Sequence, residues 1–197
     1  MARSGALLAL GLLGGLLLSR CDGGSQGSLP VAPDALLLNR VPSDLPQHVT
    51  LDRDLDATGV ASGTMADPAA VHKFLSSAAF HSAHVRIWTQ APDYVTMMSV
   101  AFDRPPDASK FVELEAAQLK NSINSYVTPH SQIPGSYVFV ISSPTRSGAK
   151  NVICEGVWQA ASMYAIETLT CSDRGKWAAR AEELAQQAHD QAKRLLG

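Results

Sequence analysis

Charge is scarce in this chain, and it is not gathered anywhere. Asp, Glu, Lys and Arg make up 17% of the 197 residues, below the roughly 25% of an average globular domain. Sixteen basic and eighteen acidic residues leave a net charge of −2. With no Lys/Arg cluster, the phosphate electrostatics on which nucleic-acid binding rests are missing, so nucleic acid is excluded as a partner. Only three cysteines are present, none in a Cys-x-x-Cys arrangement, which removes the usual redox spacing. The serines form no Gly-x-Ser-x-Gly elbow, so the hydrolase signature of that kind is absent. The glycine-rich run Asp22-Gly-Gly-Ser-Gln-Gly precedes no strand-to-helix unit and is a linker, not a phosphate cradle. Catalytic residues, cofactors and metal ligands are accordingly expected to be none.

Two places in the sequence invite a metal reading, and neither completes one. His81-x-x-His84, with His72 nearby, has two histidines three apart, which on a strand point to opposite faces. Asp52, Asp54 and Asp56 open like a calcium loop. The sixth position, however, is Ala57 where Gly is required, and the twelfth is Gly63 where a bidentate Glu belongs. That stretch reads as an acidic, solvated loop.

The N-terminus is an address. After Arg3, residues Gly5 to Leu18 are fourteen Gly, Ala and Leu residues, four of them glycine. A bilayer core needs about 20 apolar residues as helix, so residues 1–20 fit a signal peptide and not a permanent anchor. Leu18-Ser19-Arg20-Cys21 resembles the bacterial lipobox, which implies a diacylated Cys21, although Arg20 departs from the small residue usual there. Residues 21–28 then form a flexible Gly/Ser-rich tether. The competing reading is ordinary cleavage after Ser25, releasing a soluble protein. The expected location is the outer face of the cytoplasmic membrane, lipid-anchored, or the exterior as a secreted chain.

Residues 29–66 carry Pro30, Pro33, Pro42 and Pro46 and read as an irregular arm. The rest, 67–197, is one globular domain. Asp67-Pro68 caps and opens a helix to about Phe80. Strands are predicted over Ala83–Gln90, Tyr94–Asp103, Ser136–Ser142, Asn151–Trp158 and Met163–Cys171. A helix from Asp107 to about Asn124 buries Phe111, Val112, Ala116, Leu119 and Ile123, and a last helix buries Trp177, Ala181, Leu184, Ala185, Ala188, Ala192 and Leu195. The order α-β-β-α-β-β-β-α indicates an α+β fold with a single antiparallel sheet of about five strands and helices on one face.

A turn centred on Ser162-Met163 places Cys154 directly opposite Cys171, and a disulfide between them is the natural reading in an oxidising compartment. Alternation along the strands sets Val85, Ile87, Val138 and Val140 under the helices. Arg86, Trp88, Tyr137 and Phe139 then fall on the opposite, wet face, joined by Trp158 subject to register. Such a patch suits an envelope protein or a small apolar ligand, unless the 29–66 arm folds across it.

The run Ala79-Phe80-His81-Ser82-Ala83-His84-Val85-Arg86-Ile87-Trp88, the later Val100-Ala101-Phe102-Asp103 with its helix start, and the Cys154 to Cys171 hairpin resemble cell-envelope lipoproteins and extracytoplasmic sensor-like domains of actinobacteria. The resemblance covers about residues 67–197. It implies location and fold and carries over no catalytic residue. The function expected is a non-enzymatic, exported binding or interaction module; the alternative is an envelope hydrolase, which needs a Ser within reach of His72, His81 or His84.

Overall fold

In the computed structural model, residues 29–122, 124–144, 151–172 and 180–197 are described. One antiparallel sheet of seven strands runs through the molecule in the order β1-β2-β3-β7-β6-β5-β4. The strands are β1 (His48–Leu55), β2 (Phe80–Gln90), β3 (Asp93–Phe102), β4 (Ser125–Pro129), β5 (Tyr137–Pro144), β6 (Asn151–Ala161) and β7 (Tyr164–Ser172). The helices are α1 (Ala57–Gly63), α2 (Pro68–Ser77), α3 (Pro105–Lys120) and α4 (Arg180–Leu196), preceded by a 3-10 turn at Pro33–Leu36. The expectation of about five strands with helices on one face is therefore corrected twice: two edge strands and α1 are added, and both faces are covered.

The five expected strands and three expected helices are present, while the additions have weak local signals. β1 carries Asp52, Arg53 and Asp54, residue types that strand interiors avoid and exposed edges tolerate. What reads as an acidic loop is thus an edge strand followed by a helix cap, since Asp56 accepts a hydrogen bond from Gly59 N at 2.7 Å. β4 is only five residues long and ends at Pro129. Ile123 and Trp177, expected on helix faces, lie outside the described residues, as do Cys21, the signal segment and the tether.

On one face, α1, α2 and α3 cover Val85, Met98, Val100, Phe102, Phe139, Trp158 and Leu169. Phe74, Phe102, Phe111 and Trp158 form its aromatic centre, with Phe111 edge-on to Trp158 at 5.3 Å. On the other face, α4 and the 29–47 arm cover Trp88, Val95, Met97, Tyr164 and Ile166 with Leu36, Leu37, Leu45, Leu184 and Ala188. The arm is tied down by polar contacts. Tyr164 Oη donates to Val31 O at 2.5 Å, Arg86 donates to Leu38 O at 2.9 Å, and Gln191 donates to Ala35 O at 2.6 Å.

β6 and β7 form a hairpin turning at Ser162 and Met163, with Ser162 at φ 53°. Cys154 lies opposite Cys171 and the two form a disulfide. Next to it, Gly156 pairs with Phe139, whose ring occupies the space a side chain at 156 would need: a Cβ there would stand 2.2 Å from Phe139 Cζ.

Candidate functional site

The residues expected to share a wet binding face are split between the two covered faces of the sheet. Register decides this: Val85 pairs with Met98, Met98 with Glu167, Glu167 with Trp158 and Trp158 with Tyr137. That row faces α3, so Tyr137, Phe139 and Trp158 point toward α3 while Trp88 faces the arm. Trp88, Phe139 and Trp158 are each 2% exposed or less. Tyr137, half-buried, carries Lys120 Nζ 5.5 Å from its ring centre. Arg86 is spent on the arm and on Asp52, 3.1 Å from its Nε. Val138, expected beside Val85, packs instead with Ile133, Val157 and Ala185 on the α4 side.

Two of the three histidines singled out in the sequence, His81 and His84, are also committed. His84 lies between Asp52 (Nε2 to Oδ1, 2.6 Å) and Asp54 (Nδ1 to Oδ1, 2.8 Å). Burial by itself lowers its pKa, but the two carboxylates outweigh that and hold it above the ordinary imidazole value. His81 bonds Asp103 at 2.9 Å. Among the described residues, no group of three or more His, Cys, Asp or Glu is placed to hold a metal ion.

Unused polar chemistry collects instead around α4. Between its first turns and the loop joining β4 to β5 lies a groove of about 380 Å³, lined by His130, Gln132, Glu182, Glu183, Gln186 and Gln187. Its loop wall is stiff for local reasons. Pro134 and Gly135, the latter at φ 73°, occupy the central positions of a type II turn closed by Ser136 N to Ile133 O at 3.3 Å. Ile133 anchors the loop on Val157 and Ala185, and Ser136 Oγ donates to Ile133 O at 2.6 Å.

His130 is fixed in this frame. Its Nδ1 accepts from Gln132 N at 3.0 Å and from Ile133 N at 3.1 Å, so the ring proton sits on Nε2. The side chain is 2% exposed, and Nε2 makes no hydrogen bond, lying 3.5 Å from Glu182 Oε2. Gln186 Oε1 is likewise buried and unpartnered. Arg180 neutralises Glu183 and also bonds Asp44. Among the described residues Glu182 has no Lys or Arg partner, only His130 Nε2 at 3.5 Å. Beside it, Glu155 is buried on the α4 face of β6, and burial together with the charge of Glu182 pushes its carboxyl up to about 7.

Neither the groove nor its histidine is marked in the sequence. His130 stands in a Thr-Pro-His-Ser loop without a motif, and Glu182-Glu183 on a helix reads as a solvated face. A second groove of about 490 Å³, beside Ala161, Ala192 and Leu196 at the other end of α4, is bordered by His189 and Lys193.

The architecture defined by these elements is an α+β sandwich, an antiparallel sheet with helices on both faces. A solved structure of the same architecture is the extracellular domain of PknH from Mycobacterium tuberculosis, which superimposes with a TM-score of 0.60 at 16% identity over 85% of this chain and 100% of that one. At that identity the likeness shows the fold. No sequence family matches the chain, and no curated protein does.

Proposed function

We propose that this protein is an exported, non-enzymatic binding module, lipid-anchored through Cys21, whose ligand site is the groove between α4 and the 130–136 loop. The observation that carries the reading is the pair of buried polar atoms without a hydrogen bond, His130 Nε2 and Gln186 Oε1, on two residues that line one groove together with Glu182, whose Oε2 lies 3.5 Å from Nε2. Buried polar groups are satisfied in nearly all folded proteins, and a stiff wall with open valences is a surface prepared for a ligand. Export is supported by the signal-like N-terminus, by the disulfide, which suits an oxidising compartment, and by the fold shared with an extracellular domain. No helix among the described residues is long and apolar enough to cross a membrane; the attachment in this reading is the lipid on Cys21. The alternative, an envelope hydrolase, needs a Ser hydroxyl on a histidine ring: both ring nitrogens of His84 are taken by Asp52 and Asp54, Ser76 bonds only the backbone oxygen of His72, and among the described residues no Ser hydroxyl bonds the ring of His72, His81 or His84.

Native mass spectrometry of the full chain, isolated from detergent-solubilised envelope, tests both halves. The expected spectrum shows a chain beginning at Cys21 with a diacylglyceryl group and a small-molecule adduct lost on denaturation. A free N-terminus at Gln26 contradicts the anchor, and an adduct-free protein in every preparation contradicts the binding role.

A further inference from the structure

We propose that the α4 groove takes a protonated amino alcohol of about one monosaccharide ring, its ammonium held by Glu182 and Gln186 and a hydroxyl oxygen accepting from His130. The inference rests on the binding-module reading and specifies the chemistry of its ligand.

The argument is one of complementary valences. Every residue lining the groove is an acid, an amide or His130; no Lys or Arg is among them. Glu183 is matched by Arg180, whereas Glu182, half exposed, has among the described residues no Lys or Arg beside it and only His130 Nε2 at 3.5 Å. A single ammonium fits that count, and an anion is repelled. A carboxylate alone would be an ordinary surface feature, and His130 is the independent second feature. Its Nε2 is buried and makes no hydrogen bond, with Glu182 Oε2 3.5 Å away, and its proton is forced there by the two backbone N–H groups on Nδ1.

His130 therefore offers one donor, Gln186 Oε1 one acceptor and Glu182 a charged acceptor. An ammonium supplies donors to the last two, and only a ligand with an oxygen acceptor close by also satisfies the first. A simple alkylamine leaves Nε2 unpaired, and a neutral polyol leaves Glu182 without charge. The volume, about 380 Å³, lies at the small end of ligand sites and suits one sugar ring rather than a chain of them.

The test is a titration of the isotope-labelled protein followed by amide NMR, with glucosamine at a pH where its amine is charged. Glucose replaces the ammonium by hydroxyl, N-acetylglucosamine neutralises it, and ethanolamine represents a lipid headgroup. Glucosamine is expected to shift the signals of residues 130–133 and 182–187 saturably. Glu182→Gln is expected to weaken that binding about tenfold or more. Glu113→Gln, an equal loss of charge on exposed α3, is expected to leave it unchanged. A saturable response to ethanolamine at the same residues also supports the proposal and assigns the source to a headgroup.

Glucose or N-acetylglucosamine binding as well as glucosamine overturns the amino-alcohol assignment while the binding-module reading stands. Silence from all four probes overturns the assignment too, and the native mass spectrum then decides the broader reading separately. Equal loss in Glu182→Gln and Glu113→Gln would mean diffuse charge attraction and also sinks it.

Discussion

At the scale of single residues, the core holds more acid than its packing calls for. Glu167 of β7 is 1% exposed, and neither carboxyl oxygen has a hydrogen-bond partner; the same is true of Glu115, which faces it from α3. Burial pushes Glu167 up to about 8. Burial, and behind it the charge of Glu167, hold Glu115 well above the carboxylate range, only partly offset by Thr64, whose hydroxyl donates to Ala61 O at 3.4 Å. Both therefore fold as neutral acids. The sign of the linkage follows. Between the ordinary value of 4.5 and about 8, folded Glu167 keeps a proton that the unfolded chain has lost, so stability falls as pH rises across that window. The fall is about 1.4 kcal/mol per pH unit for one such group. Glu167→Gln should match the parent near pH 4.5, exceed it by a few kcal/mol at about pH 8, and keep a residual slope from Glu115. Urea unfolding at several pH values reads this directly, and parallel pH curves for parent and variant would contradict it.

Among the elements, the arm changes the reading of the surface. Its 3-10 turn and the leucines around it close the face of β2 and β3 that alternation alone leaves wet, so Trp88 belongs to the core. Trp88→Ala is expected to cost about 3–5 kcal/mol, as removal of a buried aromatic does, and Trp88 is expected to be shielded from an aqueous fluorescence quencher. Ready quenching with an unchanged melting temperature would show the arm to be displaced in solution. Elements with strong periodicity, such as α3 with Phe111, Val112, Ala116 and Leu119 on one stripe, were legible in the sequence, and so was the Cys154–Cys171 register from a symmetric two-residue turn. β1 was not, because an edge strand needs no apolar alternation. The relative phase of β2 and β5 was not either. Alternation says which side chains share a face within a strand, but only pairing through β3, β7 and β6 links Val85 to Tyr137. The α4 groove was invisible for a similar reason: its parts lie some fifty residues apart and carry no spacing rule.

For the molecule as a whole, helices and arm cover both faces of the sheet among the described residues, and the groove proposed as the ligand site lies at the rim. The arm, β1 and β2 are cross-linked by His84, Asp52, Asp54 and Arg86. α4 is held to the sheet by Gln159, whose Nε2 donates to Ala185 O at 3.0 Å. The body is thus braced around a groove whose own polar atoms are left open. Hydrogen exchange tests that claim most directly, comparing the protein as isolated from the envelope with the same protein stripped of ligand by unfolding and refolding. The account predicts slower exchange in the isolated form at residues 130–136 and 182–187, with β1, β2 and the arm unchanged. Equal exchange at those residues, or protection appearing on the arm and β1 instead, would contradict it.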